Sequence, residues 1–507
     1  MSAWAWALLG ATLLRLLLAA FVPLAPDEAY YWVWSHDLQP GYLDHPPMVA
    51  LWIRAGTALL GETPLGIRLL GPLSVALGSV LLARAAAALF PDRPGSGPWA
   101  AALLNATLAL GVGAVVMTPD TPLLFFWTLA LWALARLHRD GNANWWLVVG
   151  LAAGLALASK YTAVLLGLGV LLWLLLSPPA RRWLACWQLW AGGALALALF
   201  APVVAWNAAN DWASFAKQGG RAGGVEAAGG GPGLRYLGEL IVGQIGLATP
   251  LVFALCIAGT AAALRRAAWP GSREERRRDS PGASAALLLA ALILPGALLF
   301  LWQSLGSRVQ GNWPAILYPS AGIAAACLLV GPRWQRLRAP AVALGAALTA
   351  LVYLQAVAAP LPLPRRNDPT LARLGGWEEF AAAVETARAA AGAAFVAAEE
   401  YGLASELAFR LPPGVTVVAM DARWRRFSLP APPPPGVTGL LVRSERRGEG
   451  PPLWPGAAPL GTTLVRARRG VEAERYRLWR VETAADDAMP PAARLPRPGA
   501  ATAREGG

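Results

Sequence analysis

Two short segments near the start of the chain bring together side chains able to move a proton. Pro26-Asp27-Glu28-Ala29-Tyr30-Tyr31-Trp32 carries adjacent carboxylates, and Gly41-Tyr42-Leu43-Asp44-His45-Pro46-Pro47 adds an acid and an imidazole in a proline-stiffened turn. Adjacent acids at a membrane surface are commonly just solvated, and the aromatics beside them ordinarily form an interfacial belt. The second segment tips the reading toward chemistry, because a positioned carboxylate can deprotonate or orient a hydroxyl. A third acid, Asp120, sits in Met117-Thr118-Pro119-Asp120-Thr121-Pro122, where its simplest role is to cap a helix. Cations accompany these acids: Lys160 in Ser159-Lys160-Tyr161, Lys217, Arg221, and Arg308 in Ser307-Arg308-Val309-Gln310-Gly311-Asn312. Arginine suits a phosphate through its bidentate fork, while Lys160 at a helix junction could equally snorkel. The candidate catalytic set is therefore Asp27, Asp44 and Asp120. Glu28, Tyr31, His45, Lys160, Arg221, Arg308 and Asn312 are the candidate substrate contacts.

The elements that must position these residues are membrane spans. Of 507 residues, 56% are hydrophobic and 14% charged, against about 25% charged in an ordinary soluble chain. Mean hydropathy is +0.45. Apolar runs of bilayer length recur up to about residue 359 and read as about eleven helices: 4–24, 65–90, 98–117, 121–138, 144–158, 161–176, 183–206, 237–264, 285–305, 313–331 and 339–359. The net charge of +13 does not argue for nucleic acid, because arginines cluster in short loops between apolar spans, as topology requires, and no nucleic-acid motif accompanies them. With a cytoplasmic N-terminus, about fifteen Lys/Arg fall inside and about seven outside, and the acids then concentrate on the outer face. Two outer loops are long, about 25–64 and 207–236. The second has a Gly-rich centre (Gly219–Gly224, then Gly229–Gly231) that reads as a mobile lid.

After residue 359 the composition turns Pro- and Arg-rich. Residues 377–391 and 401–410 read as helices, 393–398 and 415–420 as strands. The expected organisation is a mainly α transmembrane domain over 1–359, a small extracytoplasmic α/β domain over 360–482, and a disordered tail over 483–507. Cys186, Cys256 and Cys327 lie in or beside apolar spans without disulfide or metal spacing and read as small core residues. No GxGxxG or Walker motif stands in a strand-turn-helix context, so a nucleotide-binding fold is not expected. Arg15, deep in the first span, needs a partner or a route to water. A transporter or flippase of lipid-linked sugars is the alternative reading. Such proteins usually show inverted repeats and midplane polar groups, whereas most ionisable groups here sit at span ends.

The segments PDEAYYW, GYLDHPP, MTPDTPLLFFW, ASKYTAVLLG, WNAANDWASFAKQ and VQGNWPAILYP, in that order, resemble bacterial glycosyltransferases of the family 39/83 type. That group includes the aminoarabinose transferase acting on lipid A and is distantly similar to protein O-mannosyltransferases. The resemblance covers about residues 1–330, with a weaker extension through GWEEFAAAVE and YGLASELAFRL. It implies a C-type (GT-C) fold in the bacterial inner membrane, with an extracytoplasmic active site. It also implies an undecaprenyl-phosphate-linked sugar donor and an acceptor that is a lipid such as lipid A, a glycan or a protein. On the same resemblance Asp27 is the base or acceptor-orienting acid, Glu28 accompanies it, and Asp120 lines the cavity. Asp44 and His45 stand where the aminoarabinose branch has an acid and a phosphate-binding lysine. Histidine departs from that pattern, being largely neutral at pH 7, so Lys160, Arg221 or Arg308 would have to compensate. The superfamily also admits a divalent metal near the first-loop acids.

Overall fold

The computed structural model describes residues 2–223, 233–268, 281–446, 450–484 and 490–499. The protein is mostly helical, with a small sheet near its C-terminus. Among the described residues six helices are long and apolar enough to cross a membrane: Ala3–Phe21, Pro64–Leu89, Trp187–Ala209, Pro250–Ala268, Pro281–Ser304 and Gln335–Ala358. A seventh is added if Tyr161–Leu176 and Pro178–Ala185, bent by 107°, form one span. In such segments a helix is the only open structure that satisfies every backbone group internally.

The chain divides into two compact units. The first comprises Met1–Leu16, Pro40–Val49 and Leu70–Ala350. Its helices approach closely at several glycines. A Cβ on Gly150 would lie 2.1 Å from the carbonyl oxygen of Gly192, which is why Trp145–Leu157 can pack so tightly on Trp187–Ala209. Arg15 finds its partner here: its guanidinium donates to Asn105 Oδ1 at 2.7 Å, and Asn105 donates to Ser79 Oγ at 2.8 Å. An otherwise costly charge is thus held by a polar ladder.

Three expectations are corrected in this unit. The run 98–117 is not one helix but Ser96–Asn105 followed by Leu108–Gly111, where Thr107 caps the second piece by accepting from Leu110 N at 3.1 Å. The run 237–264 breaks at Thr249, whose φ of 65° no helix tolerates, into Gly233–Ala248 and Pro250–Ala268. Much of the expected Gly-rich loop is the helix Ala213–Gly223, while Gly224 and Gly229–Gly231 lie outside the described residues.

The second unit comprises Leu17–Gln39, Ala50–Leu69 and Leu351–Gly507. It therefore takes in much of the first long loop, where the sequence reading put everything before residue 360 in one domain. Its sheet has six strands: β1 (Phe395–Ala398), β2 (Thr416–Met420), β3 (Thr438–Ser444), β4 (Ala458–Arg468), β5 (Val471–Glu482) and β6 (Ala492–Arg494), ordered β4-β5-β3-β1-β2-β6. Strand β1 is parallel to β2 and β3, and its four residues are all buried, as a central parallel strand requires. The crossover from β1 to β2 is the helix Tyr401–Arg410, found where its pattern placed it. Residues 492–494 correct the expected disordered tail. They pair antiparallel with β2, Ala493 opposite Ala419, so backbone hydrogen bonds order a segment whose composition alone read as unstructured. The three cysteines are free.

Candidate functional site

In the first unit, Asp120 opens the helix Asp120–Asp140. The N-cap is Pro119, which corrects the expected capping role of Asp120, and the Asp120 carboxylate is turned to other partners. Lys160 Nζ donates to its two oxygens at 2.7 and 2.9 Å, and Asn312 Nδ2 donates at 2.5 Å. Both charged residues are nearly buried, with relative exposures of 9% and 5%. Each arrives from a helix junction: Lys160 follows Trp145–Leu157, and Asn312 precedes the 3-10 turn Trp313–Leu317. Lys160 and Asn312, read from sequence as phosphate donors, are thus ligands of Asp120, and the helix N-terminus further favours the carboxylate. A lysine ammonium has three N–H groups. The hydrogen bonds of Lys160 Nζ among the described residues go to Asp120.

Beside this cluster the wall of an apolar cavity begins, with Pro314 two residues beyond Asn312. The cavity measures about 370 Å³ and is walled by side chains such as Leu240, Phe253, Ile293, Phe300 and Leu317. Gln244 fixes its polar edge, donating to the Gly311 carbonyl at 2.8 Å and accepting from the Tyr318 hydroxyl at 2.9 Å. A buried amide needs such partners.

Asp44 lies in the same unit. Its carboxylate accepts from Lys217 Nζ at 2.6 Å, and its carbonyl accepts from Gln218 Nε2 at 2.5 Å. The turn carrying it closes through Tyr42 N donating to the His45 carbonyl at 3.1 Å. Gly41 is required there, because a Cβ would meet the Trp206 ring at 2.9 Å. His45 is half-buried in this turn. Arg308, read as a phosphate donor, is 71% exposed in its side chain and pairs with Glu239 at 3.0 Å. Arg221 is in the helix Ala213–Gly223, and its side chain lies outside the described residues.

In the second unit, Asp27 and Glu28 have opposite fates. Asp27 keeps a half-open carboxylate, 37% exposed, that accepts from the Tyr401 hydroxyl at 2.9 Å and pairs with Arg373 at 3.2 Å. Glu28 is fully buried. Arg68 grips it at 2.7 and 2.6 Å, and the Ala25 amide donates to it at 2.9 Å. Arg68 also donates to the carbonyls of Ala19, Val22 and Pro23 at 3.2, 2.5 and 2.9 Å. Glu28 is therefore a staple that ties the end of the first helix to the next, and the expected substrate contact is corrected because no surface remains for one. Tyr31 is likewise buried, its ring edge-on to Trp34 at 4.9 Å, and it serves packing. The helix Pro26–Trp34 rests on Tyr401–Arg410, with the rings of Tyr30 and Tyr401 4.5 Å apart and Gly402 against Pro26. Tyr401 and Arg373 escaped the sequence reading because they stand 374 and 346 residues from Asp27.

Among the described residues no group of three or more His, Cys, Asp or Glu could hold a metal. Asp44 faces an ammonium and Glu28 a guanidinium, so each carboxylate is already neutralised by a side chain.

Three comparisons with known proteins bear on this arrangement. Residues 44–206 match the family described as dolichyl-phosphate-mannose-protein mannosyltransferase. The chain is 31% identical over 325 residues to lipid A galacturonosyltransferase RgtD of Rhizobium johnstonii, spanning 63% of this chain and 64% of that one. It is 31% identical over 214 residues to undecaprenyl phosphate-alpha-4-amino-4-deoxy-L-arabinose arabinosyl transferase of Pseudomonas aeruginosa, spanning 36% of this chain and 37% of that one. The chain thus aligns with less than two thirds of either relative's length. In fold it is similar to ArnT from Cupriavidus metallidurans in the apo state, with a TM-score of 0.60 at 16% identity over 94% of this chain and 97% of that one. The same protein bound to undecaprenyl phosphate matches with a TM-score of 0.58. The resemblance read from the six motifs is borne out: in sequence and in fold this chain is similar to C-type glycosyltransferases.

Proposed function

We propose that this protein is an inverting glycosyltransferase of the bacterial inner membrane. It would move a sugar from a polyprenyl-phosphate carrier to an extracytoplasmic acceptor. The observation that carries this reading is the Asp120–Lys160–Asn312 cluster beside an apolar cavity of about 370 Å³. A lipid-linked sugar phosphate asks for that pairing. Its isoprenoid gains about 0.8 kcal/mol for each CH2 buried, and its phosphate needs fixed donors nearby. The names of the relatives, one a lipid A galacturonosyltransferase and one acting on an undecaprenyl-phosphate-linked sugar, support the same donor class and a lipid A type acceptor. A multi-pass topology with the N-terminus inside belongs to this proposal, and its orientation is supported by the arginine bias of the loops.

In the proposed reaction the acceptor hydroxyl attacks the anomeric carbon as the bond to the carrier phosphate breaks. The proton passes to a carboxylate and the leaving phosphate takes the electron pair. Asp27 is the proposed base. Its carboxylate is partly open, and Tyr401 and Arg373 hold its orientation. Lys217, 27% exposed and braced by Asp44, is the proposed cation for the phosphate in place of the lysine that His45 replaces. Asp120 orients Lys160 and Asn312. The test is sugar transfer by purified protein from an undecaprenyl-phosphate-linked sugar, followed by mass spectrometry. Asp27→Asn is expected to lower the rate roughly 10²-fold or more. Unchanged transfer in both Asp27→Asn and Asp120→Asn would overturn the site, and vectorial movement of the donor without bond cleavage would overturn the activity.

A further inference from the structure

The helix that leads away from Asn312 of the acid cluster borders a second hollow at its other end. Tyr318–Leu329 starts just beyond Asn312 and runs 12 residues, about 18 Å, away from it. Around its far end, the C-terminal half of Pro250–Ala268 and the second and third turns of Pro281–Ser304 leave a cavity of about 520 Å³. Four guanidiniums line it: Arg93, Arg265, Arg266 and Arg333. Among the described residues one carboxylate, Asp92, pairs with two of them, at 3.5 Å to Arg93 and 3.3 Å to Arg266. Among the described residues the hollow therefore holds more positive than negative charge. Its inner wall is apolar, formed by Phe90, Leu289, Ala324 and Leu328, and the Arg266 guanidinium lies over the Phe90 ring at 5.6 Å.

We infer that this hollow binds the phosphate headgroup of an anionic membrane phospholipid, with the first part of an acyl chain against the apolar wall. Free phosphate would satisfy the arginines but would leave that wall with nothing to bury. An amphiphile satisfies both, and basic pockets between spanning helices are where acidic headgroups collect. Arginine is the apt cation, since its fork engages two phosphate oxygens at once and is weakly hydrated. Arg265 and Arg266 also stand in the last turn of their helix, where bound lipid would tie three helix ends together.

The experiment uses the full chain purified in detergent. Unfolding is followed by tryptophan fluorescence with added phosphatidylglycerol, phosphatidylcholine or inorganic phosphate, and retained lipid is counted by native mass spectrometry. Phosphatidylglycerol is expected to raise the melting temperature and to persist as a bound adduct, while the other two do neither. The double variant Arg265→Gln, Arg333→Gln is expected to weaken phosphatidylglycerol binding roughly thirtyfold, about one surface arginine's contribution counted twice. Both side chains are exposed, and each single variant carries the same test should the double variant fail to fold. Exposed Arg139→Gln, at the end of another helix, is expected to bind as the parent does. An equal shift with phosphatidylcholine, an equal shift with inorganic phosphate, or undiminished binding in the arginine variants would each overturn the inference.

Discussion

Two buried acid–cation pairs, Glu28–Arg68 in one unit and Asp120–Lys160 in the other, look alike in a table of ion pairs and differ in what surrounds them. Arg68 spends its donors on Glu28 and on three backbone carbonyls, and Glu28 also takes the Ala25 amide, so the pair is closed. Asp120 is met by a lysine and an amide at two helix junctions, beside a cavity an apolar chain could fill. The first geometry is that of a staple, which holds helix ends by using every N–H of the guanidinium. The second holds charges in place next to open space, which is what a reacting group needs. Burial alone does not tell the two apart; the count of satisfied donors does.

Breaking the staple is expected to have the largest effect. Arg68→Ala leaves the Glu28 carboxylate buried without its cation and is expected to cost about 3–5 kcal/mol of stability, measured by thermal unfolding of the purified protein. Replacing the pair together, Glu28→Leu with Arg68→Met, should recover most of that loss. If the single variant unfolds like the parent, the distinction between the two pairs fails.

A second effect sharpens the comparison within the unit that holds the staple. Glu406 is fully buried in the helix Tyr401–Arg410, and burial pushes its carboxyl up to about 7 against the pull of Arg410. The folded chain thus holds this proton more tightly than the unfolded one, whose value is near 4.5. The stabilisation is complete below about 4.5 and is lost as pH rises through 7. Melting temperature measured between pH 5 and 8 should fall over that window, and Glu406→Gln should flatten the fall. The smallest expected effect lies at the surface. The Arg308–Glu239 pair is 71% exposed on the arginine side, and Arg308→Gln should change stability by less than about 0.5 kcal/mol. A larger loss would mean that this arginine is as tightly held as Arg68.

Much of the helical layout was legible, because an apolar run of bilayer length has one way to satisfy its backbone. The breaks were less so: Pro250 marks a boundary after Thr249 without saying that the φ of Thr249 turns positive, and Thr107 reads as any threonine. In the second unit the helix Tyr401–Arg410 and strands β1 and β2 followed from their periodicity, but β6 did not, since three small residues become a strand only when β2 offers them an edge.

The sequence by itself determined the membrane class, the order of the motifs and the candidate acids and cations, since these depend on residue type and on neighbours along the chain. Only the tertiary structure decided which partner each charge received. Asp44 and Lys217 are 173 residues apart, Asp120 and Asn312 are 192, and Glu28 takes Arg68 while adjacent Asp27 takes Tyr401. The reason is physical. Successive residues on a helix point about 100° apart, so which of two neighbouring carboxylates is sealed and which stays open depends on what packs against each face.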